Sequence, residues 1–231
     1  MVNTTVFAQE PLFASESTPT DAASENLTLL REAAARPGVS SIGSAPYVEP
    51  TRAHASQNMA HILDLAATLG LHVDFHLDYA RPPTGTHHGA AHEEPMIWEL
   101  LDRLQTWQGT GTVCIGHATL LTAFTPASWD RFRTLTSSPS LSHLRITLIS
   151  LPPSDVYMMG CTLDVAALKL AYGIDAAMAV NNVSNAFGPR GSVDPLEAVV
   201  GLATVVSGRG TERRWEALMV RPVTQALGTS I

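Results

Sequence analysis

Three observations in the sequence predict an α/β fold on a parallel sheet. Short β-type runs alternate with longer helical patterns, the sign of βα units. Polar residues cluster just after each apolar run, where a parallel barrel gathers its active site. Six such units are present, two fewer than a closed (β/α)8 barrel contains. The expectation is therefore an incomplete TIM-type barrel, or an open curved sheet, in one domain spanning residues 1–231.

The first strand is expected at Thr4 to Ala8, followed by a polar stretch and a helix over Glu25 to Ala35 that Pro37 and Gly38 stop. Val39 to Ser44 forms the second strand. From Thr51 to Leu69 the residues Met59, Ile62, Leu63, Leu65 and Ala66 recur at helical spacing, and Gly70 supplies the stop. Leu71 to His76 makes the third strand. Pro95 then precedes an amphipathic helix running to about Trp107, with Ile97, Leu100, Leu101 and Leu104 on one face. Thr112 to Gly116 is the fourth strand, Pro126 to Thr136 a helix, and Arg145 to Leu151 the fifth strand, closed by Pro152 and Pro153. Thr162 to Tyr172 is helical, Ile174 to Val180 is the sixth strand, and apolar helices near Pro195 to Val206 and Trp215 to Leu227 follow.

Composition narrows the function. A formal charge of -7, from 14 basic and 21 acidic residues without a basic run, gives no electrostatic reason to expect nucleic acid or an anionic membrane as partner. Two cysteines, Cys114 and Cys161, are too few to staple a secreted fold. Met1 to Phe13 lacks the charged start of a secretory signal, and no stretch has the roughly 20 apolar residues of a membrane helix. A cytoplasmic protein with a small neutral ligand is expected. Unpaired sheet edges add the expectation of a homo-oligomer.

The strand-end residues are Gln9 and Glu10, Tyr47 and Glu49, His76, Asp78 and Tyr79, His117 and Thr119, Ser154 and Asp155, and Asn181 and Asn182. No nucleophile elbow, Gly-rich phosphate loop, CxxC pair or HExxH helix is present, so serine acyl transfer, dinucleotide binding and zinc-protease chemistry lack local support.

Several of these strings resemble the amidohydrolase superfamily, the metallo-dependent hydrolases, in their cytosine deaminase-like branch. HVDFHLD, ending at Asp78, is similar to the fifth barrel strand, and IGHAT, Ile115 to Thr119, to the sixth. VFAQE, Val6 to Glu10, and APYVEPTR, Ala45 to Arg52, resemble the third and fourth, while GIDAAMAVNN, Gly173 to Asn182, falls where the eighth would be. The resemblance implies strands 3 to 8 of the barrel and hydrolysis of non-peptide carbon–nitrogen bonds in a cyclic amidine or amide. It further implies a divalent zinc or iron bound by His76, a catalytic His117 that contacts the substrate or the metal-bound water, and a pyrimidine-like substrate bound by Gln9 and Asn181.

Three departures qualify that implication. The two-histidine HxH pair of the family's first strand has no counterpart here. Tyr79, a phenol of ordinary pKa about 10, stands where relatives carry the acid/base glutamate. Asn181 stands where an aspartate ligand is expected. A catalytically inactive truncated barrel is accordingly the alternative. Plainer roles also compete: His76 and His117 as satisfied strand-end histidines, Gln9 as a loop cap, Asn181 as a turn former. Asp78 is a candidate holder of the turn after it, Cys114 reads as a buried inert thiol, and His87, His88 and His92 as a solvated loop.

Overall fold

A computed structural model of the chain describes residues 4–19, 24–82, 94–186 and 194. Strands β1 (Thr4–Ala8), β2 (Val39–Ser44), β3 (His72–Leu77), β4 (Gly111–His117), β5 (Leu144–Ser150) and β6 (Ala176–Met178) form one sheet in that order. Every pairing is parallel. Because each strand lies beside its chain neighbour, right-handed crossovers place all the helices on one face, as in a barrel. A doubly wound sheet would reverse its strand order at a switch point, and this one does not.

Helices α1 (Glu25–Ala34), α2 (Arg52–Leu69), α3 (Met96–Leu104) and α4 (Pro126–Thr136) fill the crossovers. Their ends follow local chemistry. Ser24, Thr51 and Thr125 cap α1, α2 and α4 by accepting the N–H groups of Leu27, His54 and Ser128. Gly70 ends α2 in a left-handed conformation at φ 67°. The start of α3 is held from a distance: the Asp78 carboxylate accepts Met96 N–H at 2.7 Å and Ile97 N–H at 2.9 Å.

Two local readings are corrected. Pro152 and Pro153 do not simply close β5; they open α5 (Pro152–Met159), because the first helical turn needs no intrahelical N–H donors. The helix expected from Thr162 starts later, as α6 (Val165–Ala167) widening into a π turn at Leu168–Tyr172, with Asp164 capping Ala167 N–H at 2.9 Å. The helices expected near Pro195 to Val206 and Trp215 to Leu227, and the loop histidines 87, 88 and 92, lie outside the described residues. Among the described residues no helix is long and apolar enough to cross a membrane.

Strand alternation divides the sheet into two faces. Val73, Phe75 and Leu77 of β3 and Val113 and Ile115 of β4 join Met59, Ile62, Leu100, Leu101 and Leu104 in one buried cluster under the helices. The opposite, concave face is polar. There the register aligns Asp74, Cys114 and Thr147 in one row and His76 with Gly116 in the next. Gly116 leaves room for the imidazole, since a Cβ at that position would stand 2.8 Å from His76 Cδ2 and force the ring to shift.

Burial on the concave face carries consequences for pH. Burial pushes His76 down to about 3. The unfolded chain takes up that proton near pH 6.5, so acidification below 6.5 favours unfolding through this residue. Asp74 and Asp78 are both pushed up to about 6, in each case by burial, and act in the opposite sense: their contribution is complete below about pH 4 and is lost as pH rises through 6. His76→Gln removes the first effect alone. Urea unfolding at several pH values should then show the variant gaining on the parent by about 1.4 kcal/mol per pH unit between about pH 6 and pH 4, and parallel curves would refute the buried neutral imidazole. Asp78→Ala strips both acceptors from the start of α3 and should cost about 3 kcal/mol in the same assay. A loss under about 1 kcal/mol would show that the clamp contributes little.

Candidate active site at the sheet rim

The carboxyl ends of β1 to β6 place Gln9, Tyr47, His76, Tyr79, His117, Ser154, Asp155 and Asn181 at one rim. His117 is central, and its position needs explanation. It shares strand parity with Val113 and Ile115, which point into the helix layer. The backbone turns left-handed at His117 (φ 65°) and Ala118 (φ 48°), which lets the imidazole leave that layer. Such a conformation costs roughly 1–2 kcal/mol per non-glycine residue. Hydrogen bonds offset it: Ala118 N–H donates to Leu77 O at 3.0 Å and Leu120 N–H to Asp78 O at 3.1 Å.

The imidazole is 1% exposed and has both nitrogens engaged. Nδ1 lies 2.5 Å from Asp155 Oδ1, and Nε2 lies 3.3 Å from Asn181 Nδ2. Asp155 is fully buried; its Oδ2 also accepts Leu151 N–H at 2.9 Å and the Thr162 hydroxyl at 2.7 Å. A carboxylate accepts only, so Nδ1 carries the proton and Nε2 is the acceptor of the Asn181 amide. Ser154, although 3.3 Å from Asn181 Nδ2, donates to Leu151 O and makes no Asp-His-Ser triad.

Aromatic rings surround this pair. Tyr79 stacks on His117 with centroids 3.9 Å apart and planes at 26°, and its hydroxyl makes a long 3.5 Å contact with Ser154 O. His76 meets His117 edge-on at 4.6 Å and 88°, with Phe7 on its other side at 4.6 Å. Tyr47 approaches both Tyr79, at 5.3 Å, and His117, at 6.5 Å, and lies near enough to the Gln9 side chain for the amide to lower its pKa. Burial raises the pKa of Tyr47, against the pull of Gln9. Tyr79 is raised too, first by burial and then by the nearby charge of Asp155, so it remains a neutral phenol and no general base. Tyr47 and Tyr79 also line an open cleft of about 560 Å³ together with Glu49, Arg52 and Met96.

The expected site residues meet in large part. His76 and His117 are ring neighbours, Asn181 reaches His117, and Gln9 joins the group through Tyr47. Asp78 does not join them, since both its oxygens serve α3. Asp155 was visible in the sequence as a strand-end residue, but its service to His117 was not; Thr162 gave no signal at all. Cys114 is half-buried on the concave face and its thiol is pushed up to about 12 by burial, so it stays protonated. The donor set does not fit a divalent metal as it stands. Nδ1 of His117 is committed to Asp155 and Nε2 faces the Asn181 amide, and among the described residues no three His, Cys, Asp or Glu side chains converge to hold an ion.

No protein-family model matches the chain, and no curated protein matches it. Solved structures do. A 5-methylcytosine deaminase from Klebsiella pneumoniae, liganded with phosphonocytosine, aligns with a TM-score of 0.71 at 20% identity over 98% of this chain and 52% of its own. An N-isopropylammelide isopropylaminohydrolase from Burkholderia multivorans gives 0.70 at 18% identity over 98% and 51%. An adenosine deaminase from Xanthomonas campestris with bound zinc gives 0.58 at 17% over 98% and 48%. The chain thus spans about half the length of the structures it matches. These neighbours are amidohydrolase-superfamily members, the family that the sequence motifs resemble, and what they establish for this chain is the fold: an α/β sheet of six consecutive parallel strands, part of a TIM-type barrel.

Proposed function

We propose that this chain is an amidohydrolase-type scaffold for hydrolysis of non-peptide carbon–nitrogen bonds in a small planar ring, pyrimidine-like in size and polarity. The observation that supports this best is the carboxylate-backed imidazole at the rim: Asp155 holds His117 so that Nε2 faces the other rim side chains. An acceptor nitrogen in that place can take a proton from a bound ring edge. Tyr47 and Tyr79 offer flat apolar surface to a ring and exclude water from it, while the Gln9 and Asn181 amides orient its polar edge. A divalent metal in such a barrel would polarise water, but the described side chains do not assemble its ligands, and no step here is assigned to it.

One reading from another class has its own support. Tyr79 as a neutral phenol and Asn181 as an amide on Nε2 favour a barrel that binds a planar ring without turning it over. A single experiment separates the two. The purified protein is titrated with cytosine, 5-methylcytosine and adenosine, following both heat of binding and ammonia release. Binding with release supports the hydrolase; binding without release supports the ring-binding barrel; absence of both defeats the two together. Where a ring binds, His117→Ala should weaken it roughly tenfold, the value of one good hydrogen bond to a buried acceptor. Unaltered binding would take the imidazole out of the site.

A further inference from the structure

Behind the rim, four side chains form a hydrogen-bonded line that the proposed chemistry does not itself require. Ser150 Oγ is 2.7 Å from Thr162 Oγ1, Thr162 Oγ1 donates to Asp155 Oδ2 at 2.7 Å, and Asp155 Oδ1 receives His117 Nδ1. All four are at most 5% exposed. Thr162 has one hydroxyl proton and spends it on Asp155, so in the first pair Ser150 is the donor. Every proton in the line therefore runs toward the carboxylate, and with Leu151 N–H it receives three donors.

We propose that Thr162, backed by Ser150, is a positioning residue that locks His117 in the tautomer whose Nε2 faces the rim as an acceptor, so that the ligand edge it selects is an N–H or O–H donor. Two of the carboxylate's donors fix its plane from behind, which leaves Oδ1 aimed at Nδ1. A carboxylate without the Thr162 hydroxyl keeps a backbone donor but loses the contact that prevents rotation. The Asn181 amide, already donating to Nε2, occupies the place that a ligand N–H would take and shows the polarity that this nitrogen accepts. The ligand-edge clause rests on the reading of His117 as the ligand-facing group, whereas the tautomer does not.

The test is NMR of the ligand-free protein with nitrogen-15 histidine at neutral pH. In the parent chain His117 should show a protonated Nδ1 and a bare Nε2. Thr162→Val, close in shape but without the hydroxyl, should bring in the second tautomer and speed solvent exchange of the Nδ1 proton roughly tenfold, and Thr162→Ser should restore the parent spectrum. A protonated Nε2 in the parent, or a Val variant indistinguishable from it, overturns the proposal. If Thr162→Val does not fold, Ser150→Ala gives the same reading: faster Nδ1 exchange supports the relay and unchanged exchange overturns it. Because no substrate is present, failure of ammonia release leaves this result standing, and failure of the lock leaves the hydrolase reading standing.

Discussion

The contact between His117 and Asp155 is the constraint around which the rim is organised. A carboxylate with no solvent exposure is costly unless donors surround it, and Asp155 draws them from three separate places: the end of β4 through His117, the backbone at Leu151, and the loop before α6 through Thr162. Loss of any one leaves part of a buried charge unmet. The same need explains why the backbone tolerates two successive left-handed residues at His117 and Ala118: without that turn the imidazole would follow Ile115 into the apolar layer, where no partner waits.

A division of labour within one short string follows from strand geometry. In His76-Leu77-Asp78-Tyr79 the alternation sends His76 to the concave face and Leu77 into the core. The left-handed conformation at Asp78, φ 50°, then breaks the alternation. Its carboxylate turns back to clamp α3, and Tyr79 is delivered onto the face of His117. A residue type that could ligate a metal is thereby committed to holding a helix, and a residue type that cannot act as a base at neutral pH covers the imidazole. The position of α3 and the shape of the rim consequently depend on the same turn.

Much of the fold was legible because it rests on periodicity. Alternating apolar residues in β3 and β4 and the helical stripe of α2 need only one neighbour layer to make sense, and each stands within two residues of its expected bounds. The failures share a cause. Pro152 and Pro153 carry the same local signal whether they end a strand or open a helix, and only the packing of α5 decides. Thr162 looks like helix, yet its hydroxyl is committed to Asp155, so the helix begins after it. At the rim, gathering of strand-end residues could be read from topology, but partnership could not. Nothing in the spacing of residues 117, 155, 162 and 181 says that they touch; that information lies in how the crossovers return.

The two faces of the sheet explain why so particular a rim is compatible with an ordinary core. Stability resides in the apolar side chains under the helices, whereas the rim is built by residues that leave strand parity only at its last positions. Three rim positions also carry structure: Asp78 seats α3, Gly116 admits the ring of His76, and Asp155 is the buried acceptor that His117, Leu151 and Thr162 satisfy. In this chain the rim side chains place the Nε2 acceptor of His117 among aromatic faces, where the Asn181 amide is its donor. That polarity follows from the direction of the proton line behind Asp155, since a carboxylate that accepts from every side leaves the imidazole no choice of where its own proton resides.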